Sequence, residues 1–203
     1  MLKMIKGAQV PDAEILNEGY EEIKNENYQS FLMNVNADKI KKMFEDFIKQ
    51  NNEEVFLILE VPCNKSEEPL DEKGNIIDFH SNIYYLDNIK PKKALEILNK
   101  YEELLEDGMI AFGFATHKTC NELMKYKYNV LQLISTNISN YYKLMKDNNI
   151  PKVEKLLTAW DTFKKENNQY GESTHTCDIK KILEELKEEG LYFYKQTITR
   201  WKE

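Results

Sequence analysis

The sequence predicts one α/β (or α+β) domain, with a mixed β-sheet of about six strands and helices packed on it. Three observations lead there. Strand-like and helix-like segments alternate along most of the 203 residues. Several strand segments are continuously apolar, as strands covered on both faces are. Only seven Gly and five Pro occur, so no long flexible linker divides residues 1–203 into two units.

Taken in order, residues 11–24 read as a short amphipathic helix with Ile15, Leu16, Tyr20 and Ile23 on one side, weakened by Gly19. Phe31 to Val35 reads as a short strand. Asn36 is placed to cap the next helix, which carries Ile40, Met43, Phe44, Phe47 and Ile48 on one face. Val55 to Val61 is a buried-type strand stopped by Pro62. Residues 62–81 read as a mobile loop or a hairpin around Lys73-Gly74-Asn75. So long a structureless loop is uncommon in a compact domain, so it is also a candidate flap over a site.

Ile83 to Leu86 reads as a short strand. Pro91 then suits a first helical turn, and Ala94, Leu95, Leu98, Tyr101, Leu104 and Leu105 share one face of the helix that follows. Gly108 is expected to end that helix in a left-handed cap. Met109 to Ala115 runs almost without a polar residue, as a central strand does, and Thr116 and His117 stand at its carboxyl end, where ligand loops often lie. Tyr126 to Ile134 reads as one alternating strand. A helix bearing Tyr141, Leu144 and Met145 is broken at Asn148-Asn149-Ile150-Pro151. Residues 153–163 have helical spacing, but the rhythm of their neighbours favours a strand over Leu156 to Trp160. Ile179, Ile182, Leu183 and Leu186 mark a last helix ended at Glu189-Gly190, and Leu191 to Thr199 reads as a last strand.

Hydrophobic residues make up 41% and charged residues 31%, a globular rather than a disordered composition. The formal charge of −7 disfavours nucleic acid, whose phosphates need Lys and Arg, and suits a basic partner. No apolar run approaches a membrane span, and the first residues lack the apolar run of a signal peptide. Three cysteines without a CxxC argue against a secreted disulfide framework. The expected compartment is therefore the cytoplasm.

Two stretches carry the candidate chemistry. His117 and Cys120 form an HxxC, and His175 and Cys177 form an HxC. Four such donors suit tetrahedral zinc if the stretches meet, although the spacing matches no regular zinc motif. The alternative for each Cys is a small buried hydrophobe. Cys177 would also start a helix near His175, which favours a thiolate nucleophile, but residues two apart rarely face each other. Asp178 is better placed as a helix cap than as a ligand. The stretches 116–123 and 174–181 resemble each other weakly, too weakly to establish a repeat. Trp160 and Asp161, in an apolar setting, join Thr116 and His117 as candidate binding residues; the plainer reading of Asp161 is a turn residue. No phosphate loop, nucleophile elbow or HExxH occurs. A non-enzymatic, acidic, cytosolic protein-binding domain is the favoured expectation, of the immunity kind that neutralises a basic toxin or nuclease. The alternatives are a metal- or thiol-dependent enzyme and a small-molecule sensor with residues 62–81 as its flap.

Overall fold

A computed structural model of the chain describes residues 1–24, 28–164 and 169–199. In chain order the elements are β1 (Ala8–Gln9), β2 (Gly19–Lys24), β3 (Gln29–Asn34), α1 (Ala37–Asn51), β4 (Val55–Pro62) and β5 (His80–Ile89). Then come α2 (Pro91–Lys100), α3 (Glu103–Glu106), β6 (Ala111–Thr116), β7 (Glu122–Lys125) and β8 (Val130–Ser135). The last are α4 (Tyr142–Asp147), β9 (Glu172–Ser173), α5 (Ile179–Glu188) and β10 (Tyr192–Ile198). Eight strands form one sheet in the order β10-β5-β4-β6-β7-β8-β3-β2, and β1 pairs with β9 apart from it. Every pairing of the large sheet is antiparallel. The class is the expected one in its α+β form, with more strands than the sequence suggested.

The sheet has two unlike faces. Val55, Leu57, Leu59 and Val61 of β4 and Phe112 and Phe114 of β6 belong to the main core. The same core takes the buried residues of all five helices, including Phe44 and Phe47 of α1, Leu98 of α2, Leu104 of α3, Leu144 of α4 and Leu186 of α5. The intervening residues of the same strands point the other way, as the two-residue period requires. There Ile58, Ile83, Ala115, Met124 and Tyr126 form a second cluster, with Phe56, Tyr85 and Ala111 against it and no helical residue among them.

The helix read over Ala37–Asn51 buries the expected face, and Asn36 stands before it. The Asn36 side chain, however, accepts from the Lys3 amide at 2.8 Å rather than capping its own helix. The one helix expected from Pro91 through Leu105 is interrupted at Tyr101 and Glu102 into α2 and α3, although Tyr101, Leu104 and Leu105 are buried as expected. Four further expectations change. Residues 19–24 are strand β2, not helix: Tyr20 and Glu22 pair with Met33 and Phe31, and a short apolar run cannot distinguish the two periods. The strand read over Tyr126 to Ile134 is broken at residues 127–129, where Tyr128 and Asn129 take positive φ. The reason is tertiary: the buried Asn129 side chain accepts from Ile5 N at 2.9 Å and donates to Lys3 O and Val35 O, both at 2.8 Å.

Residues 156–160 form no strand. The Leu156 amide donates to Glu21 at 2.8 Å and the Leu157 carbonyl accepts from Asn34 at 2.7 Å, so side chains take the place of a ladder. Finally, Gly108 is not left-handed. A Cβ there would lie 1.8 Å from the Gly7 carbonyl oxygen, so close backbone approach is what requires glycine. The left-handed cap occurs instead at Gly190, φ +108°, after α5.

Candidate functional site

The helix-free face of the sheet carries two features, one at each end of β4. At the end near Val55 lies an aromatic row. His117 stacks on Phe56 at 4.4 Å between ring centres, Phe56 meets Tyr85 edge-on at 5.6 Å, and Tyr85 stacks on Tyr194 at 4.8 Å. Tyr192 also meets Tyr85, at 6.3 Å. Two residues of β10 reach one ring of β5 because the register shifts between Phe193 and Lys195, and such a bulge re-aims a side chain. Asp87 closes the row: it accepts from the Tyr192 hydroxyl at 2.6 Å and lies 3.5 Å from His117 Nε2. Its hydrogen bond and charge push the Tyr192 phenol up to about 12.

At the other end is a cavity of about 640 Å³, lined on its sheet side by Glu60, Ala111 and Tyr126 and on its outer side by residues from 62–81 and 171–174. Glu60 stands in β4 opposite Ile83 of β5 and Ala111 of β6, and is 8% exposed. The wall formed by 62–81 is tied down by Glu68, also buried, which accepts from the His80 amide at 2.6 Å and pairs with His80 Nδ1 at 2.7 Å. Burial works against the Glu68 charge, but the two His80 bonds outweigh it and hold the carboxyl below its ordinary range. Asp71 organises the turn outside, accepting from Lys73 N and Asn75 N at 2.8 Å each. Cys63 lines the cavity with its thiol pushed up, chiefly by burial.

The segment 62–81 thus contains the hairpin turn expected at Lys73-Gly74-Asn75, closed by the Leu70–Ile76 bridge. It does not cover Thr116 and His117, because those residues sit beside Val55 and the cavity sits beside Pro62. Along β4 these places are about 20 Å apart at the usual strand rise.

The candidate residues fall into three places. Thr116 is buried and closes the β6–β7 turn, with its hydroxyl 2.7 Å from that of Thr119 and accepting from Asn121 N at 3.0 Å. Cys120 is exposed in that turn at positive φ. His175 and Cys177 lie instead around Asp107, at the opposite end of β6. Asp107 is fully buried and accepts from Met109 N, Ile110 N and Thr176 N, with His175 Nδ1 at 3.2 Å and the Cys177 thiol at 3.5 Å. The four-residue zinc site is therefore not assembled, and among the described residues no three His, Cys, Asp or Glu are arranged to hold a metal. Thr116–Asn121 form a tight turn and 174–178 an extended lead into α5, so the weak likeness of those stretches is not a structural repeat.

The thiolate reading of Cys177 also fails. Burial and then the Asp107 charge push that thiol up to about 12, and α5 begins after it with Asp178 as the cap, accepting from Lys181 N at 3.2 Å. Asp161 accepts from Thr158 N and Thr158 Oγ1, at 2.7 and 2.9 Å, in a capping box, which is the turn role. Trp160 packs edge-on against Tyr128 at 5.5 Å and borders the main core.

Sequence reasoning passed over Glu60, and it did not rank Tyr85, Tyr192 and Tyr194 above the rest of the twelve tyrosines, which suit a protein-binding face or an ordinary Tyr-rich domain alike. One signal was available for the first: Glu60 is the lone charge in Val55-Phe56-Leu57-Ile58-Leu59-Glu60-Val61. A carboxylate placed in a buried strand is costly unless something compensates it. No protein-family model, curated protein or solved structure matches this chain. Among the described residues, no helix is long and apolar enough to cross a membrane.

Proposed function

We propose that this protein is a non-enzymatic cytosolic binding domain whose partner is a basic protein, in the manner of an immunity protein, and that the partner docks on the helix-free face and the adjoining edge strand β10. The observation that carries this reading is the make-up of that face. An antiparallel sheet with one face in water normally alternates apolar inward and polar outward. Here the outward positions carry Phe56, Ile58, Ile83, Tyr85 and Met124; Ile58, Ile83 and Met124 are buried in the second cluster and Phe56 and Tyr85 half-buried, so the exposed apolar surface lies where this cluster continues onto β10. Tyr192 and Tyr194 of β10, on the side of Tyr85, are 43 and 51% exposed, while Phe193 meets Tyr84 on the opposite side of the strand. Exposed apolar surface gathered in one place marks an interaction site, and Tyr is a frequent energetic anchor there.

The edge adds backbone groups. β10 pairs with β5 and, among the described residues, with no other strand, so its outer side offers donors and acceptors to an extended segment. The charge of −7 and the carboxylates of Asp87, Asp78 and Glu172 along this side favour a cationic partner and speed its encounter. The cavity beside the face also fits a small-molecule sensor, with residues 62–81 as a latched wall rather than a free flap.

The test is affinity capture from the native cytosol at low and moderate salt, with the wild type and the Tyr85→Ser/Tyr194→Ser variant side by side. The wild type should retain a basic protein that salt releases, because exposed charges are screened. The variant should retain it at least about tenfold less, the scale of one lost hot spot. Equal retention by the variant, or retention indifferent to salt, would remove this reading.

A further inference from the structure

We propose that the cavity around Glu60 is a binding site for an organic cation, a guanidinium or primary ammonium group seated against the Glu60 carboxylate. Its volume of about 640 Å³ lies in the range of small-ligand sites rather than of packing defects. Four carboxylates, Glu60, Glu68, Asp78 and Glu172, and two lysines, Lys65 and Lys127, line it, so carboxylates outnumber ammonium groups around it.

These carboxylates are not equivalent. Both Glu68 oxygens are engaged by His80, which makes that residue a fastener of the wall. Glu60 rises near the end of β4, an interior strand of the sheet, and its neighbour across the β4–β6 ladder is only Ala111, so the space beside its carboxylate is not filled by that side chain. Glu60, Asp78, Tyr126 and Lys127 each already take part in other polar or ring interactions. A carboxylate has about four acceptor positions, enough to hold a ligand cation alongside a protein partner. An aromatic side chain completes the chemistry: Tyr126 lies on the sheet side of the cavity and Phe79 on its outer side, and a flat or compact cation is attracted to such ring faces.

The site is also held in shape before any ligand arrives. Cys63 N donates to His80 O at 2.9 Å and Thr199 N to Phe79 O at 2.7 Å, joining the outer wall to β4 and to the end of β10. A wall fixed in this way loses little freedom on binding, which favours a small ligand. A buried carboxylate beside open volume thus has a use that an apolar residue at the same position would not.

The experiment is a titration of the full-length protein with agmatine, which carries both cationic groups, followed by amide chemical shifts of Ser81, Met109 and Ala111. The expected result is a saturable shift at those residues. Glu60→Gln should weaken it by about tenfold or more, as loss of a charge-assisted bond does. Ala111→Leu, which fills the space beside the carboxylate, should abolish it while circular dichroism stays unchanged. A second arm uses a blocked Gly-Arg-Gly peptide. Tighter Glu60-dependent binding of the peptide places the natural cation on a protein side chain, and tighter binding of agmatine places it on a free small molecule. Absence of a saturable shift, equal affinity in both variants, or preferential binding of inorganic phosphate would overturn the proposal. The probe needs no partner protein, so the outcome is independent of whether a basic protein docks on the face.

Discussion

On the helix-covered face Lys125 rises from β7 with no solvent contact and directs its ammonium at two carbonyl oxygens, those of Asp107 and Ile110. On the helix-free face Glu60 rises from β4 beside a cavity of about 640 Å³. Glu60 is the one charge of β4, and Lys125 is the buried one of the two charges of β7, whose other is Glu122. The difference is what surrounds them. Lys125 lies opposite Phe112 and Leu131 in the ladders and is enclosed by packed core, so its charge fastens the start of β6 to β7. Glu60 has open volume at hand. A buried charge in a filled region serves the fold, whereas one beside empty space can serve a ligand.

The two edges of the sheet repeat the contrast. At the β2 edge, Tyr20 N donates to Pro151 O and Val153 N to Tyr20 O, both at 2.9 Å, and Lys152 pairs with Glu22 at 2.7 Å. Backbone groups and charges there are covered, as edge strands usually are. The β10 edge presents Tyr192, Phe193 and Tyr194 with only Lys195 among them as a charge.

The comparison of faces can be broken in three ways. The largest effect is expected at Phe112, fully buried and edge-on to Phe44 at 5.5 Å and to Phe114 at 5.4 Å. Phe112→Ala should cost about 3–5 kcal/mol in a urea unfolding curve, since the covered face cannot collapse around the lost ring. A loss below about 1 kcal/mol would mean that this face is no tighter than the other.

Next is the pH dependence set by Lys125. Burial lowers its pKa from 10.5 to about 8, against the opposing charges of Asp107 and Glu106. Between those values the unfolded chain holds the proton and the folded chain does not, so stability rises with pH there, by about 3 kcal/mol from this group. Lys125→Met should flatten the rise. Parallel wild-type and variant profiles from pH 7.5 to 10.5 would contradict the assignment of that step to Lys125.

The smallest of the three concerns Asp107. Burial raises its pKa, but the His175 bond, the amides of Met109 and Thr176 and the His175 charge outweigh that and take it from 3.8 to about 2. A carboxylate with a lowered folded pKa stabilises the fold above its unfolded value and loses that contribution as pH falls through the folded one. Asp107→Asn should therefore cost about 2 kcal/mol at pH 6 and approach the wild type near pH 2, measured by denaturant unfolding. A gap that persists unchanged to pH 2 would point to lost packing instead of lost charge.

Much of this was legible from residue order. The face of α1 from Ile40 to Ile48, the strand from Val55, the Pro91 helix start, the Asp178 cap and the stop at Gly190 each rest on interactions within a few residues. The candidate site was less legible. Glu60 stands out in its strand only once one asks why a charge is there. Nothing local shows that Tyr85 and Tyr194, far apart in sequence, stack on one another. The Cys177 neighbourhood was legible only in part for the same reason: the i, i+2 spacing already counted against a thiolate, but the acidic neighbour Asp107 that opposes it comes from a distant loop.

By itself the sequence determined the kind of elements and the inward faces of the helices, because hydrophobic periodicity and capping act over one or two turns of chain. The tertiary structure alone decided that all eight strands of the main sheet run antiparallel and that every helix packs on one side. It also decided that Asn129 breaks a strand to hold the amino-terminal segment, and that Glu60 stands next to empty volume. Those outcomes depend on contacts between residues tens of positions apart, whose free energies no local pattern encodes.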